Sequence, residues 1–218
     1  MNDDVDPRFQ AARLVLALRQ AGVTDHRVTE AIEKAPRHLF VPRPFEDVAW
    51  ENVELPIDCG QSMTRPVTVG VMLQALGATR EHTVLEVGTG TGYVVAVLSQ
   101  LARRVYSVDR YRTLIEKARA ALEQMGVTSR IELRHADGLF GWPEAAPFDR
   151  VLLMGSAPAV PEDIARQIMV GGVVVMPVER GGQDMIVRLV RRTDGGFDET
   201  VVAPGGFAPL QPGIAREL

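Results

Sequence analysis

The chain has a single cysteine, Cys59. One thiol closes no intrachain disulfide, so the fold needs no oxidising compartment and a cytoplasmic protein is expected. Aromatic residues are few, with 7 Phe, 3 Tyr and 2 Trp, which argues against stacking platforms for single-stranded nucleic acid. Positive charge is not in excess: 24 Lys and Arg against 28 Asp and Glu leave a net charge of −4. A general nucleic-acid binder needs a basic face to displace counterions, so nucleic acid is not an expected partner. The four histidines, His26, His38, His82 and His135, form no close pair at ligand spacing, and no metal is expected. Uncharged apolar stretches such as Val151–Pro161 fall far short of the ~20 residues of a membrane span. The acidic start, Met1 to Pro7, lacks the basic opening of a secretory signal. No membrane partner is expected either.

What is present is a chain of 218 residues, 46% of them hydrophobic, read as one domain able to bury a core without staples. Residues 8–21 are predicted helical, with Phe9, Ala12, Leu16 and Arg19 on one face and Leu14, Ala17, Leu18 and Ala21 on the next. Gly22 stops this helix. A second helix is capped by Thr24 or Asp25 and ended by Pro36. Residues 36–66 are irregular and proline-rich, yet Leu39, Phe40, Val41, Trp50, Leu55 and Ile57 argue for order.

From Val67 the pattern turns regular. Helices are predicted at about 67–77, 91–102 and 111–124, with a short one near Pro161. Strands are predicted at 83–87, 104–109, 131–136, 150–154 and 172–178, then 185–191 and 200–202. Such alternation predicts an α/β protein with a Rossmann-like, doubly wound, mostly parallel sheet and an antiparallel C-terminal hairpin, preceded by a helical and irregular segment. The expected parts of the single domain are 1–66 on the substrate side, 67–180 as a cofactor-binding core, and 181–218 as hairpin and tail.

The sharpest motif is Val84-Leu85-Glu86-Val87-Gly88-Thr89-Gly90-Thr91-Gly92-Tyr93, an apolar strand running through glycines into a helix. Glycines there let backbone approach a ligand, and the helix start presents free N–H groups and positive potential. A dinucleotide fingerprint needs its third glycine at 93, where Tyr93 stands. The spacing of Gly88, Gly90 and Gly92 is instead that of S-adenosylmethionine methyltransferases, with Thr89 inside the loop. Asp109 ends the next strand 21 residues beyond Gly88, close to the spacing of ~20 for an acid that accepts ribose hydroxyls. Asp137-Gly138 ends the third strand, where side chain and backbone can meet an adenine edge. Three elements on consecutive strand ends point to a nucleoside cofactor. Glu86 is expected to accept backbone N–H bonds that hold the loop.

The chain also resembles the protein-L-isoaspartate (D-aspartate) O-methyltransferase family over roughly residues 8–210. The resemblance rests on Pro36-Arg37-His38-Leu39-Phe40-Val41-Pro42, on residues 55–66 (Leu55-Pro56-Ile57-Asp58-Cys59-Gly60-Gln61-Ser62-Met63-Thr64-Arg65-Pro66) and on the glycine loop. It continues through Ala136-Asp137-Gly138, Pro147-Phe148-Asp149, Gly171-Gly172, Pro177-Val178 and Phe207-Ala208-Pro209-Leu210. The glycine loop is generic to the methyltransferase class, and the proline-rich segment is the family-specific part. The resemblance implies methyl esterification of the α-carboxylate of L-isoaspartyl residues in damaged proteins and peptides, from S-adenosyl-L-methionine; a monomer is expected. It implies Ser62 and Met63 at the cofactor, Thr64 as the active-site hydroxyl, and Phe207, Ala208, Pro209 and Leu210 on the substrate side; Arg65 is a candidate partner for a substrate carboxylate or a residue of the rim.

The chain departs from the family pattern on that side. Many relatives read G-Q-T-I-S where residues 60–64 read Gly-Gln-Ser-Met-Thr, so a β-branched threonine replaces the serine. Arg65 stands where a neutral residue is common, and Ala208 where valine is usual. These changes leave two alternatives: a methyltransferase for another carboxylate acceptor, or a non-catalytic cofactor-binding module. Cys59, without a matched His partner, is expected to be a small buried filler, and Trp142 a lid over apolar surface.

Overall fold

The computed structural model describes residues 7–215. Helix α1, Pro7–Gln20, turns Ala11, Leu14 and Leu18 inward, while Phe9, Ala12 and Leu16 face solvent. Only one of the two predicted apolar faces therefore packs. Helix α2, His26–Lys34, is capped by the Asp25 carboxylate, which accepts the Arg27 N–H at 3.0 Å. It ends at Ala35, whose extended backbone suits the residue before Pro36.

The irregular segment is ordered, as its apolar residues suggest. It is a run of short turns and one two-residue hairpin, β1 Leu55–Pro56 against β2 Ser62–Met63. Phe40, Val41, Ala49, Leu55, Ile57 and Met63 pin it to the core. Helix α3, Pro66–Leu76, follows with proline at its first position and Gly77 as a left-handed stop.

The seven-stranded sheet comprises β3 Thr83–Val87, β4 Arg104–Asp109, β5 Ile131–His135, β6 Phe148–Leu153, β7 Ile168–Arg180, β8 Gln183–Arg191 and β9 Phe197–Pro204, in the order β5-β4-β3-β6-β7-β8-β9. The first five strands of that order run parallel, and β8 and β9 add antiparallel to β7 at one edge. This is the predicted doubly wound architecture. Strand β7 is longer than predicted at both ends: pairing of Ile168 with Phe148 of β6 starts it before Gly171-Gly172, across a register shift, and pairing with β8 carries it on to Arg180. Apolar clusters lie on both faces of the sheet, as parallel strands require. No helix of the described residues is long and apolar enough to cross a membrane.

Two features place the site. The order reverses beside β3, whose neighbours are β4 and β6, and such a switch point leaves a crevice at the carboxyl ends of the strands. The chain after β9 then crosses those ends. Ser156 N–H donates to Ala208 O at 3.0 Å and Leu210 N–H to Ser156 O at 2.8 Å; farther on, Gly213 N–H reaches an Asp137 carboxylate oxygen at 2.6 Å.

Candidate active site

Strand β3 is buried at every residue and delivers the glycine loop to the crevice. Gly88 has φ +97°, and a Cβ there would stand 3.2 Å from the Met154 Cβ at the end of β6. Gly92 has φ +87° and would meet the Ala118 Cβ at 2.9 Å. Only glycine fits both the conformation and the approach. Gly92 N-caps helix α4, Tyr93–Leu101, and packs against helix α5, Arg112–Met125. The first three N–H groups of α4, from Tyr93 to Val95, have no carbonyl one turn back within the helix to receive them.

Asp109 ends β4 and holds the loop. One carboxylate oxygen accepts Gly90 N–H at 2.9 Å, and the other accepts Tyr111 N–H at 2.9 Å. Each oxygen keeps a second lone pair for a ligand hydroxyl. Burial raises the Asp109 pKa from its ordinary value, while the Gly90 and Tyr111 N–H bonds pull it back.

Glu86 does not play its expected part. Alternation along β3 turns it into the helix-covered face, in register with Ser107 and Leu152, two residues short of the loop. It is fully buried and takes no backbone N–H. Its Oε2 accepts the Ser107 hydroxyl at 2.6 Å, Ser107 Oγ lies 2.6 Å from Thr89 Oγ1, and Oε1 has no partner among the described residues. Burial drives the Glu86 pKa up to about 8, against the Ser107 bond and with the Asp109 charge adding to it. The anchor of the loop is therefore Asp109, and Glu86 stands behind the site.

Two adjoining clefts share Gln61, Gly88, Asp109 and Met154. The smaller, of about 90 Å³, brings Ser62, Met63 and Thr64 against Gly88, Thr89 and Gly90. The larger, of about 300 Å³, is lined by Val108, Gly138 and Leu139 on one side and by Ala208, Pro209 and Leu210 on the other. Eleven of the residues singled out from sequence thus line one connected groove, counting Gly88 and Asp109 once each. The others stand outside it. Gly92 shapes the turn from behind, and Asp137 spends its carboxylate on Leu139 N–H at 2.9 Å and Gly213 N–H. At strand β5's end it is therefore Gly138, not the Asp137 side chain, that faces the cleft. Phe207 is held away, with its N–H on Asp184 and its carbonyl accepting the Ser156 hydroxyl. Arg65 is exposed at the start of α3.

The lining residues missed include Leu139, Met154, Gln61 and Tyr111. Met154 closes the switch point opposite Gly88, and a search of every strand end would have found it. Gln61, inside a motif quoted for other residues, donates to Cys59 O at 3.1 Å and lies 3.5 Å from Tyr111 Oη. Tyr111 lines the larger cleft directly after Asp109. Cys59 is not the buried filler expected: it is half-buried and adopts φ +61°, alone among the described non-glycine residues in that region. Trp142 is buried edge-on to Tyr106 at 5.0 Å, with the Arg134 guanidinium 3.9 Å over its ring, outside both clefts.

The groove suits an adenosyl amino acid. Its wider part has apolar walls and a carboxylate at the strand end where a ribose would lie, and a Cβ at Gly138 would collide with Val87. Its narrower part faces the helix start, which favours a carboxylate. Sheet order and groove together define a doubly wound α/β protein with a nucleoside site. The family model for protein-L-isoaspartate(D-aspartate) O-methyltransferase (PCMT) matches residues 9–214, and the chain belongs to that family. It is 49% identical over 213 residues to the protein-L-isoaspartate O-methyltransferase of Maricaulis maris (strain MCS10), covering 98% of both chains. With that of Paramagnetospirillum magneticum it shares 44% identity over 206 residues, covering 94% of this chain and 96% of the other. A solved protein-L-isoaspartate O-methyltransferase superposes with TM-score 0.82 at 23% identity, over 94% of this chain and 67% of that one. A beta-aspartate methyltransferase (PCMT) from Plasmodium falciparum, in complex with S-adenosyl-L-homocysteine, gives 0.80 at 15% identity, over 91% and 97%. At those identities the superpositions speak to the fold.

Proposed function

We propose that this chain uses S-adenosyl-L-methionine to methylate the α-carboxylate of L-isoaspartyl residues in damaged proteins and peptides. The observation that carries the reading is the placement of Thr64: the family-specific segment folds as the β1–β2 hairpin and sets Thr64 in the same cleft as Gly88, Thr89 and Gly90. When bound, the cofactor supplies an electrophilic methyl group on a sulfonium sulfur. Asp109 accepts the ribose hydroxyls, Gly138 and Leu139 border the base, and the start of α4 receives the amino-acid carboxylate. Ser62 and Met63 close that end. The Thr64 hydroxyl donates to the acceptor carboxylate and orients one of its oxygens toward the methyl carbon, while the backbone of Ala208–Leu210 holds the peptide. An acceptor carboxylate is already ionised at pH 7 and needs no general base. The protein's contribution is alignment and exclusion of water, worth up to ~7–11 kcal/mol in well-oriented systems.

The same reading makes residues 1–218 one domain, working as a cytoplasmic monomer without nucleic acid; the lone cysteine supports the compartment and the acidic balance supports the absence of nucleic acid. The test is transfer from methyl-labelled S-adenosylmethionine to two peptides that differ only in an isoaspartyl or aspartyl linkage. Base-labile label on the isoaspartyl peptide alone is expected. Label on neither, with cofactor binding intact, refutes the proposed acceptor.

A further inference from the structure

Arg37 opens the turn Arg37–Leu39 after α2, and its side chain is completely buried. Its Nε donates to Ala49 O at 2.6 Å, but Nη1 and Nη2 have no hydrogen-bond partner among the described residues. No carboxylate among them bears on it; its one ionisable neighbour is Tyr93. The guanidinium carbon stands 4.9 Å from the centre of the Tyr93 ring. The buried Tyr93 hydroxyl has no other partner among the described residues. It lies near enough that, against the effect of burial, the guanidinium pulls the phenol pKa down and the phenol pulls the guanidinium pKa up. Tyr93 is the first residue of α4 and lines the smaller cleft beside Thr64.

A buried cation without an anion is among the costliest groups a fold can hold, and apolar side chains of similar volume in place of buried ions are often neutral or stabilising. Burial lowers the Arg37 pKa, yet a guanidinium starts so high that it keeps its proton. The same burial drives the Tyr93 phenol up to about 12, so it stays neutral and cannot serve as the anion. No described residue supplies the countercharge, and a ligand in the cleft that Tyr93 lines can supply it.

We propose that Arg37 is the buried countercharge for a ligand carboxylate held in the smaller cleft, a positioning residue that acts through Tyr93 and adds to the positive end of α4. The proposal rests on the reading above, under which two carboxylates enter this cleft, one from the cofactor's amino-acid part and one from the acceptor. Both present the same chemistry, and the experiment separates them.

Arg37→Met, Arg37→Gln and Arg37→Lys are compared with the unaltered protein. Calorimetry measures S-adenosylhomocysteine and its decarboxylated analogue, which keeps the amine; turnover of an isoaspartyl peptide gives KM and kcat; thermal melting reports stability. If the cofactor carboxylate is the partner, Arg37→Met weakens S-adenosylhomocysteine about tenfold and leaves the analogue unchanged or tighter. If the acceptor carboxylate is the partner, nucleoside affinity holds and the peptide KM rises about tenfold. In either case Arg37→Lys, which retains the charge, stays within about threefold of the unaltered protein. Arg37→Gln still has a donor for Ala49 O and repeats the comparison should the methionine variant not fold. Equal weakening of both nucleosides, or no change in any ligand, overturns the proposal and leaves Arg37 a structural residue. An unaltered protein that binds neither nucleoside overturns the cofactor reading and this proposal with it.

Discussion

The two walls of the groove are built differently. The cofactor wall is made of strand ends: Gly88 and Thr89 both donate to Val108 O, at 2.8 and 3.3 Å, and Asp109 ties Gly90 to Tyr111. The acceptor wall is made of irregular chain. Thr64 follows a two-residue strand, and Ala208 and Leu210 hang from the sheet by backbone bonds to Ser156. A wall of strand ends inherits the rigidity of the sheet and tolerates little change. A wall of loops is positioned by a few bonds, and Thr64 and Ala208 stand on it while Arg65 lies outside both clefts.

Breaking the cofactor wall should have the largest effect. Asp109→Ala removes the acceptor for two loop N–H groups and for the ribose, so S-adenosylhomocysteine affinity should fall by roughly 1.5–3 kcal/mol, the range for a charge-assisted bond. Calorimetry checks this; unchanged affinity would remove Asp109 from the site. The same wall stores a pH dependence. Glu86 has a pKa raised to about 8 in the fold against an ordinary 4.5. The folded state holds this proton while the unfolded state releases it, so the stabilisation is full below the ordinary value and is lost as pH rises through the folded one. Between pH 6 and pH 8 the loss should be about 2 kcal/mol at 1.36 kcal/mol per unit. Glu86→Gln mimics the protonated form, and its melting temperature should be flat where that of the unaltered protein declines. Parallel declines would refute the assignment.

On the acceptor wall, Thr64→Ala should cut kcat about tenfold, ~1.4 kcal/mol, with cofactor affinity nearly unchanged and with recovery in Thr64→Ser. A large affinity loss at normal turnover would move Thr64 to the other wall. The smallest effect is expected at Arg65, exposed and outside both clefts. Arg65→Ala should change stability by less than about 0.5 kcal/mol and the peptide KM less than about twofold, a free-energy change of under ~0.5 kcal/mol. A tenfold rise in KM would instead make it a substrate residue.

The two walls were also unequally legible. Strands β3 and β4 run over the predicted residues, because buried parallel strands read as apolar runs closed by glycine or an acid. The glycine loop and Asp109 follow from spacing within one strand-helix-strand unit. Glu86 was misread because periodicity says that it alternates away from Leu85 but not what covers that face. Asp137 was misread because its second partner, Gly213, lies 76 residues on. Cys59 was misread because a cysteine at φ +61° carries no local signal comparable to that of glycine.

By itself the sequence determined the strand–glycine–helix unit, the alternation that makes a parallel sheet, and the family. Each rests on patterns a few residues long, set by backbone sterics and side-chain periodicity. Only the tertiary structure decided which carboxylate anchors the loop, which of two helix faces packs, and how Thr64 and Ala208–Leu210 come to share one groove with Gly88. It also decided that Arg37 packs against Tyr93 with its two Nη groups unpaired among the described residues. Those outcomes depend on contacts between segments tens of residues apart, where burial and hydrogen-bond satisfaction across the whole chain, and no local preference, choose among the possible pairings.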